Sequence, residues 1–274
     1  MVLQGLRRKI WETERNTEAG TVRLPHWAEA GRRREKGMRV EILDEDEDII
    51  VVYKPAGIAA QTADVGQEDV VSELKNYLSR TPKAAGKERQ EPYLGVIHRL
   101  DQPVEGLLVF AKRQNAAAAL SRQLRDGAFC KRYYAVLCGR PEAEKGQLTD
   151  ALCRDGAGRM GEVARAGQKA DTREAVLHYS VLQSLEERKI TLADIQIDTG
   201  RFHQIRVQMA HAGTPILGDR KYGGEACCAL ARDLQVQYVA LCAYYLEFIH
   251  PGSKKVMKYR IKPRGRVFSF FSQL

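Results

Sequence analysis

Strand-forming runs follow one another in this chain with little room for a helix between them, and this most narrows the folds open to it. MRVEIL (38–43) leads through an acidic DEDED turn to IIVVYKP (49–55), stopped by Pro55. EAVLHYSVL (174–182) is followed by ITLADIQID (190–198), and YLEFIHP (245–251) by KVMKYRIKP (255–263). Antiparallel neighbours need only a turn between them, whereas parallel ones need a crossover of a dozen or more residues. GLLVFAK (106–112) and KRYYAVLCG (131–139) add two more runs, the second apolar on both faces and hence central. Helical periodicity is confined to EDVVSELKNYL (68–78), QNAAAALSRQLRDG (114–127) and RFHQIRVQMAHAG (201–213). The last is bounded by Gly200, Gly213 and Pro215, with Ile205, Met209 and Ala212 as its core stripe. Residues 79–92 and 154–171 read as loops. The expected class is α+β, a mixed and mainly antiparallel sheet rather than a doubly wound one.

At 274 residues and 44% hydrophobic content, the chain is long enough for a substantial core. It holds no apolar run of about 18 residues that could span a membrane, and MVLQGLRRKIWETERN has no signal-peptide core. A cytoplasmic monomer with no membrane partner is the expectation. The six cysteines form no C-x-x-C pair and show no zinc spacing with the six histidines, so they read as buried, reduced thiols, with no metal.

The net charge of +9 directs attention to polyanions, nucleic acid first. Residues 1–38 carry nine Lys or Arg against five Asp or Glu, with GRRREKG at 31–37 and little apolar periodicity. They read as a solvated basic extension ahead of one catalytic domain over 39–274. An RNA-gripping arm, or translation from Met38, are the alternatives.

The chemistry concentrates in HRLDQPVEG (98–106). An apolar stub, Leu94 to Ile97, precedes it and an apolar run, Leu107 to Ala111, follows, so a charged corner lies between two buried segments. A carboxylate held in such a place needs a partner or a task. Arg99 lies two residues from Asp101, on the same side of an extended chain, and Gly106 lets another segment approach closely. DTGRFHQIRVQMAHAGTPILGDRKYGG (198–224) runs from a tight turn into a helix whose first amides, with Arg201, form an anion site. His203 and His211 read as surface or packing residues. On the strand at 131–139, Tyr133 shares a face with Ala135 and Leu137, where its ring could stack on a base.

HRLD with GLLVFAK resembles the catalytic motif of the RluA family of RNA pseudouridine synthases. DEDEDIIVVYKPAG (44–57) resembles that family's entry strand, KRYYAVLCG its K-x-Y-x-A strand, and TGRFHQIR with GTPILGDRKYGG its arginine motif and following loop. The resemblance implies a mixed sheet crossed by a cleft, an RNA partner in the form of ribosomal or transfer RNA, and an isomerisation that needs no cofactor. It implies that Asp101 is the catalytic aspartate, Tyr133 the active-site tyrosine and Arg201 the arginine paired with Asp101. Arg99 would help replace a flipped base, and Leu107 and Ile205 would wall the uracil pocket. The Gln102-Pro103-Val104-Glu105 turn departs from the family pattern, and residues 1–38 are too short for the S4 RNA-binding domain that many relatives carry.

Overall fold

The computed structural model describes residues 37–62, 66–80, 91–164 and 171–274. The expected basic extension therefore lies outside the described residues up to position 36, as do most of the 79–92 loop and part of the 154–171 loop.

The strand runs do form one sheet, eleven strands among the described residues. In chain order they are β1 (Glu41–Glu45), β2 (Ile49–Lys54), β3 (Gly95–Val96), β4 (Glu105–Ala111), β5 (Cys130–Cys138), β6 (Lys145–Arg154), β7 (Gly161–Val163), β8 (Arg173–Leu185), β9 (Ile190–Ile197), β10 (Leu241–Ile249) and β11 (Val256–Arg260). The spatial order is β1-β2-β4-β10-β5-β9-β8-β6-β7, with β3 beside β4 and β11 beside β10. The pairing of β10 with β4 is parallel, and the other pairings are antiparallel. Strands β2 and β4 are buried along their whole length, as their unbroken apolar runs require. β5 is central, between β10 and β9.

The insertion of β10 between β4 and β5 places the site. Gly106 opposes Ala243 across the parallel pair, and Ala243 opposes Tyr133 across the antiparallel one. Directly opposed residues share a face, so Gly106, Ala243 and Tyr133 form one row on one side of the sheet. A Cβ on Gly106 would lie 2.5 Å from the backbone N and O of Ala243, and its φ is +134°. Only glycine allows this crossing.

Four helices accompany the sheet among the described residues: α1 (Val70–Arg80), α2 (Gln114–Arg125), α3 (Gln204–His211) and α4 (Gly224–Asp233). The first two match the expected segments. The third is shorter than its apolar pattern implied. The buried Gln204 side chain accepts hydrogen bonds from Arg201 N (3.0 Å) and Thr199 Oγ1 (2.8 Å) and donates to Val176 O (3.0 Å). Residues 199–203 wrap around that amide, so Arg201 lies before the helix rather than in its first turn. Every residue from Gln204 to Met209 is buried, while Ala212, expected in the core stripe, is exposed. Helix α4 had no counterpart in the sequence reading, and β7 lies inside the expected 154–171 loop.

One pair of cysteines corrects the expectation of reduced thiols: Cys138 and Cys227 form a disulfide. The segment after α3 runs along the end of β5, where Cys138 N donates to Pro215 O (2.8 Å) and Leu217 N to Val136 O (2.8 Å). That placement brings α4 to β5 across 89 residues of sequence. Cys130, Cys153, Cys228 and Cys242 take no part in a disulfide.

Candidate active site

Asp101 sits on the turn between the HRL segment and β4, where Val104 N donates to its carbonyl (3.0 Å). The turn is anchored from behind. Lys54, fully buried at the end of β2, donates through Nζ to the carbonyls of Pro55 (3.0 Å), Ile58 (2.7 Å) and Gln102 (3.1 Å), and Gly57 N donates to Gln102 O (2.8 Å). Burial lowers the Lys54 ammonium to about 7, against the opposing pull of Asp101 and Glu105. The KPAG turn and the aspartate turn are thus one unit. Glu105, next to this unit, is also buried and satisfied: Tyr53 Oη donates to its carboxylate, as do the backbone amides of Arg264 and Gly265.

The cation that meets Asp101 is Arg206, not Arg201. Arg206 Nη1 donates to Asp101 Oδ2 (2.8 Å), while its Nε and Nη2 donate to the two oxygens of Asp219 (2.7 and 2.9 Å). The Arg206 and Asp219 side chains are 4% and 1% exposed. Burial opposes the Arg206 charge, but the hydrogen bonds it donates to Asp219 and Asp101, with the negative charge on both, prevail and hold the guanidinium firmly protonated. Asp219 is itself fixed by the amides of Lys221 (3.0 Å) and Tyr222 (3.3 Å). Arg201 points away, its Nε donating to Glu174 O (2.8 Å) with the residue exposed. The Gln204-centred turn displaces it, and position 206, in the first turn of α3, faces the carboxylate. A charged side chain between Ile205 and Val207 in a helix buried on all sides was the available sequence signal.

Tyr133 lies on the same sheet face as Gly106, buried, and its hydroxyl has no hydrogen-bond partner among the described residues. Burial first, and the nearby Asp101 charge second, push its phenol far above the usual value, so it stays protonated. Asp101, whose side chain is 26% exposed, reaches solvent, and its Oδ1 has no protein donor among the described residues. Leu107 does not wall this space. It pairs with Tyr53, is 1% exposed, and alternates onto the sheet face opposite Gly106 and Tyr133. Ile205 is buried beside Arg206, in the same core cluster as Tyr133. Arg99 is exposed on the segment that leads into Asp101, with no ion pair among the described residues.

His203, read from sequence as a surface or packing residue, belongs to the site. Its Nε2 is 3.6 Å from Asp101 Oδ2, and its Nδ1 is 2.7 Å from Tyr222 Oη. Phe202 stacks on its ring (3.8 Å between centroids), and Arg154 lies over Phe202 (4.4 Å). The Arg206 guanidinium covers the Tyr222 ring at 5.1 Å. Burial, with Arg206 and Lys221 nearby, lowers the His203 imidazole to about 4 despite the Asp101 charge, so it is neutral near pH 7.

A carboxylate pinned at one oxygen by a buried guanidinium, free at the other, and faced by a buried phenol on a sheet crossing defines a site for carboxylate chemistry. The comparisons agree. Residues 48–211 match the RNA pseudouridylate synthase family. An RNA pseudouridine synthase of Aquifex aeolicus is 32% identical over 86% of this chain and 73% of its own length. The ribosomal large subunit pseudouridine synthase D of Zymomonas mobilis is 34% identical over 79% of this chain and 67% of its own. The corresponding enzyme of Xylella fastidiosa is 37% identical over 77% and 62%. The human RNA Pseudouridylate Synthase Domain Containing 4 structure shares the fold, with a TM-score of 0.65 at 22% identity over 84% of this chain and 91% of that one. The chain belongs to the RNA pseudouridine synthases, in their RluA family, isomerases that act on RNA.

Proposed function

We propose that this protein converts specific uridines of ribosomal RNA to pseudouridine, with Asp101 as the reacting carboxylate. The observation that carries this reading is the Asp219–Arg206–Asp101 arrangement facing Tyr133. The target base must leave its stack to reach a carboxylate that is only 26% exposed. The N1–C1′ bond then breaks, the uracil turns, C5 bonds to C1′, and C5 gives up its proton while N1 takes one up, so that product and substrate are isomers. Asp101 serves through its unpartnered Oδ1, by attack at C1′, by addition to C6, or by proton abstraction from the sugar. Arg206 holds the carboxylate at Oδ2 and balances its charge there. Tyr133 stacks against the uracil, and its phenol relays the C5 proton by accepting it at Oη as its own hydroxyl proton passes on, so that it ends as it began. Ile205 supports the pocket wall, and Arg99 fills the space the base vacates.

Support for ribosomal RNA comes from the relatives named for the large ribosomal subunit. We read the protein as acting as a monomer. No helix among the described residues is long and apolar enough to cross a membrane, which supports a cytoplasmic site of action. Residues 39–274 form the catalytic domain, and a protein beginning at Met38 keeps its turnover.

The test is incubation with ribosomal RNA from a strain lacking the gene, followed by carbodiimide mapping. Wild type creates stops at discrete uridines and Asp101→Asn creates none. Equal signal from both overturns the assignment and leaves an RNA-binding protein without turnover.

A further inference from the structure

We infer that His203 is a positioning residue for Asp101, a neutral hydrogen-bond donor held in one tautomer by Tyr222 and the Gly161 amide, which completes the hold on Oδ2. This rests on the proposed role of Asp101.

The direction of each proton follows from the chain of contacts. The Gly161 amide can only donate, and it donates to Tyr222 Oη (2.8 Å). The Tyr222 phenol is itself pushed upward, chiefly by burial, and keeps its proton. That proton is directed at His203 Nδ1, 2.7 Å away. A neutral imidazole that accepts at Nδ1 carries its hydrogen on Nε2. Nε2 is the atom that faces Asp101 Oδ2, at 3.6 Å. The contact is long for a hydrogen bond, and catalytic contacts of this kind tighten when substrate closes the site.

The backbone supports a task for this residue. His203 has φ +53° and ψ +23°, in the left-handed region, immediately before α3. Such a conformation is unfavourable for a residue other than glycine. The strained turn aims the ring inward, where Phe202 stacks on one side and Tyr222 meets it edge-on (5.6 Å). The charged and titratable groups around the ring are Asp101, Arg206 and Asp219, with Lys221 and Tyr222 on the following loop. Both Arg206 Nη1 and His203 Nε2 approach Oδ2, so a hold from two directions fixes the carboxylate plane and turns Oδ1 outward. A one-ångström error in such a group can cost on the order of a hundredfold in rate.

The experiment compares wild type, His203→Phe and His203→Gln. Neither replacement is β-branched, so both meet a backbone demand similar to that of histidine. Phe keeps the stacking and removes the donor, while Gln restores a donor near Nε2. His203→Phe should lose on the order of tenfold to a hundredfold in kcat with KM for RNA nearly unchanged, and His203→Gln should recover most of it. Heteronuclear NMR of labelled histidine, assigned by the resonance missing in His203→Gln, should show His203 protonated at Nε2 alone near pH 7. Tyr222→Phe should redistribute that proton. An Nδ1-protonated ring, full turnover by His203→Phe, or equal damage from both replacements would overturn the inference. A wild type without turnover but with the Nε2-protonated ring would instead overturn the functional reading and leave the relay from Gly161 standing.

Discussion

The central sheet carries an arginine–aspartate system on each face, and the two are built to different ends. On the Tyr134 face, Asp194 opposes Tyr134 and is fully engaged: Arg132 donates to both of its oxygens through Nε and Nη2, and Tyr244 Oη donates to Oδ1 (3.1 Å). Tyr134 stacks on Tyr244 at 3.6 Å, and Arg260 caps the Tyr134 hydroxyl (3.1 Å). On the Tyr133 face, one guanidinium serves two carboxylates. Asp219 receives two hydrogen bonds and Asp101 one, which leaves Asp101 Oδ1 and the Tyr133 hydroxyl open. A left-handed histidine stands beside them. Satisfied groups in relaxed geometry hold a fold together, whereas an unsatisfied lone pair next to local strain marks chemistry.

Substitutions on the Tyr133 face should produce the largest effect. Asp101→Asn should lower turnover by at least about a thousandfold, a loss of roughly 4 kcal/mol of transition-state stabilisation, while leaving the folded state intact by circular dichroism. Arg206→Lys is the next test. A lysine cannot reproduce the bidentate grip on Asp219 while reaching Asp101, so kcat should fall by about a hundredfold or more, measured by single-turnover release of the C5 proton.

The Tyr134 face should respond in stability instead. Arg132→Met leaves Asp194 partly buried without its cation, and should lower unfolding free energy by about 2 kcal/mol or more in a urea titration. Activity per folded molecule should remain within about twofold of wild type, a difference of about 0.4 kcal/mol. A thousandfold loss of activity there would erase the distinction between the faces.

The smallest effects sharpen the picture. Arg201→Ala removes an exposed guanidinium that points away from Asp101, and should change kcat by less than about threefold, below 1 kcal/mol. A large loss would restore the role its motif position implied. The pH dependence of stability isolates His203. Its folded-state value of about 4 lies below the ordinary 6.5, so as pH falls through 6.5 the unfolded chain takes a proton that the folded chain refuses. Stability is therefore lost between about 6.5 and 4. His203→Gln should show a shallower decline over that window, read as the change in urea midpoint between pH 7 and pH 4.5.

Much of this was legible in the residues. The adjacent strand runs specified a mainly antiparallel sheet, the doubly apolar KRYYAVLCG its centre, and HRLD between buried flanks the carboxylate and its need for a cation. The family motifs singled out Asp101 and Tyr133, which the fold brings near one another. The sequence did not reveal which arginine would pair. Arg201 and Arg206 lie in one motif, and Gln204, by drawing the chain around its own amide, decides that the helix begins late and that the second arginine faces inward. Leu107 was misplaced for a related reason, since a residue's proximity in sequence to Asp101 says nothing about which side of the sheet it alternates onto.

The sequence by itself determined the local periods, the breaks between them and the residue types able to do chemistry, because those depend on neighbours within a few positions. The tertiary structure alone decided that β10 enters between β4 and β5, that Cys138 meets Cys227, and that Asp219 and Tyr222 stand behind Arg206 and His203. These contacts join residues far apart in the chain, and such a pairing is set by the packing of the whole core, not by any local propensity.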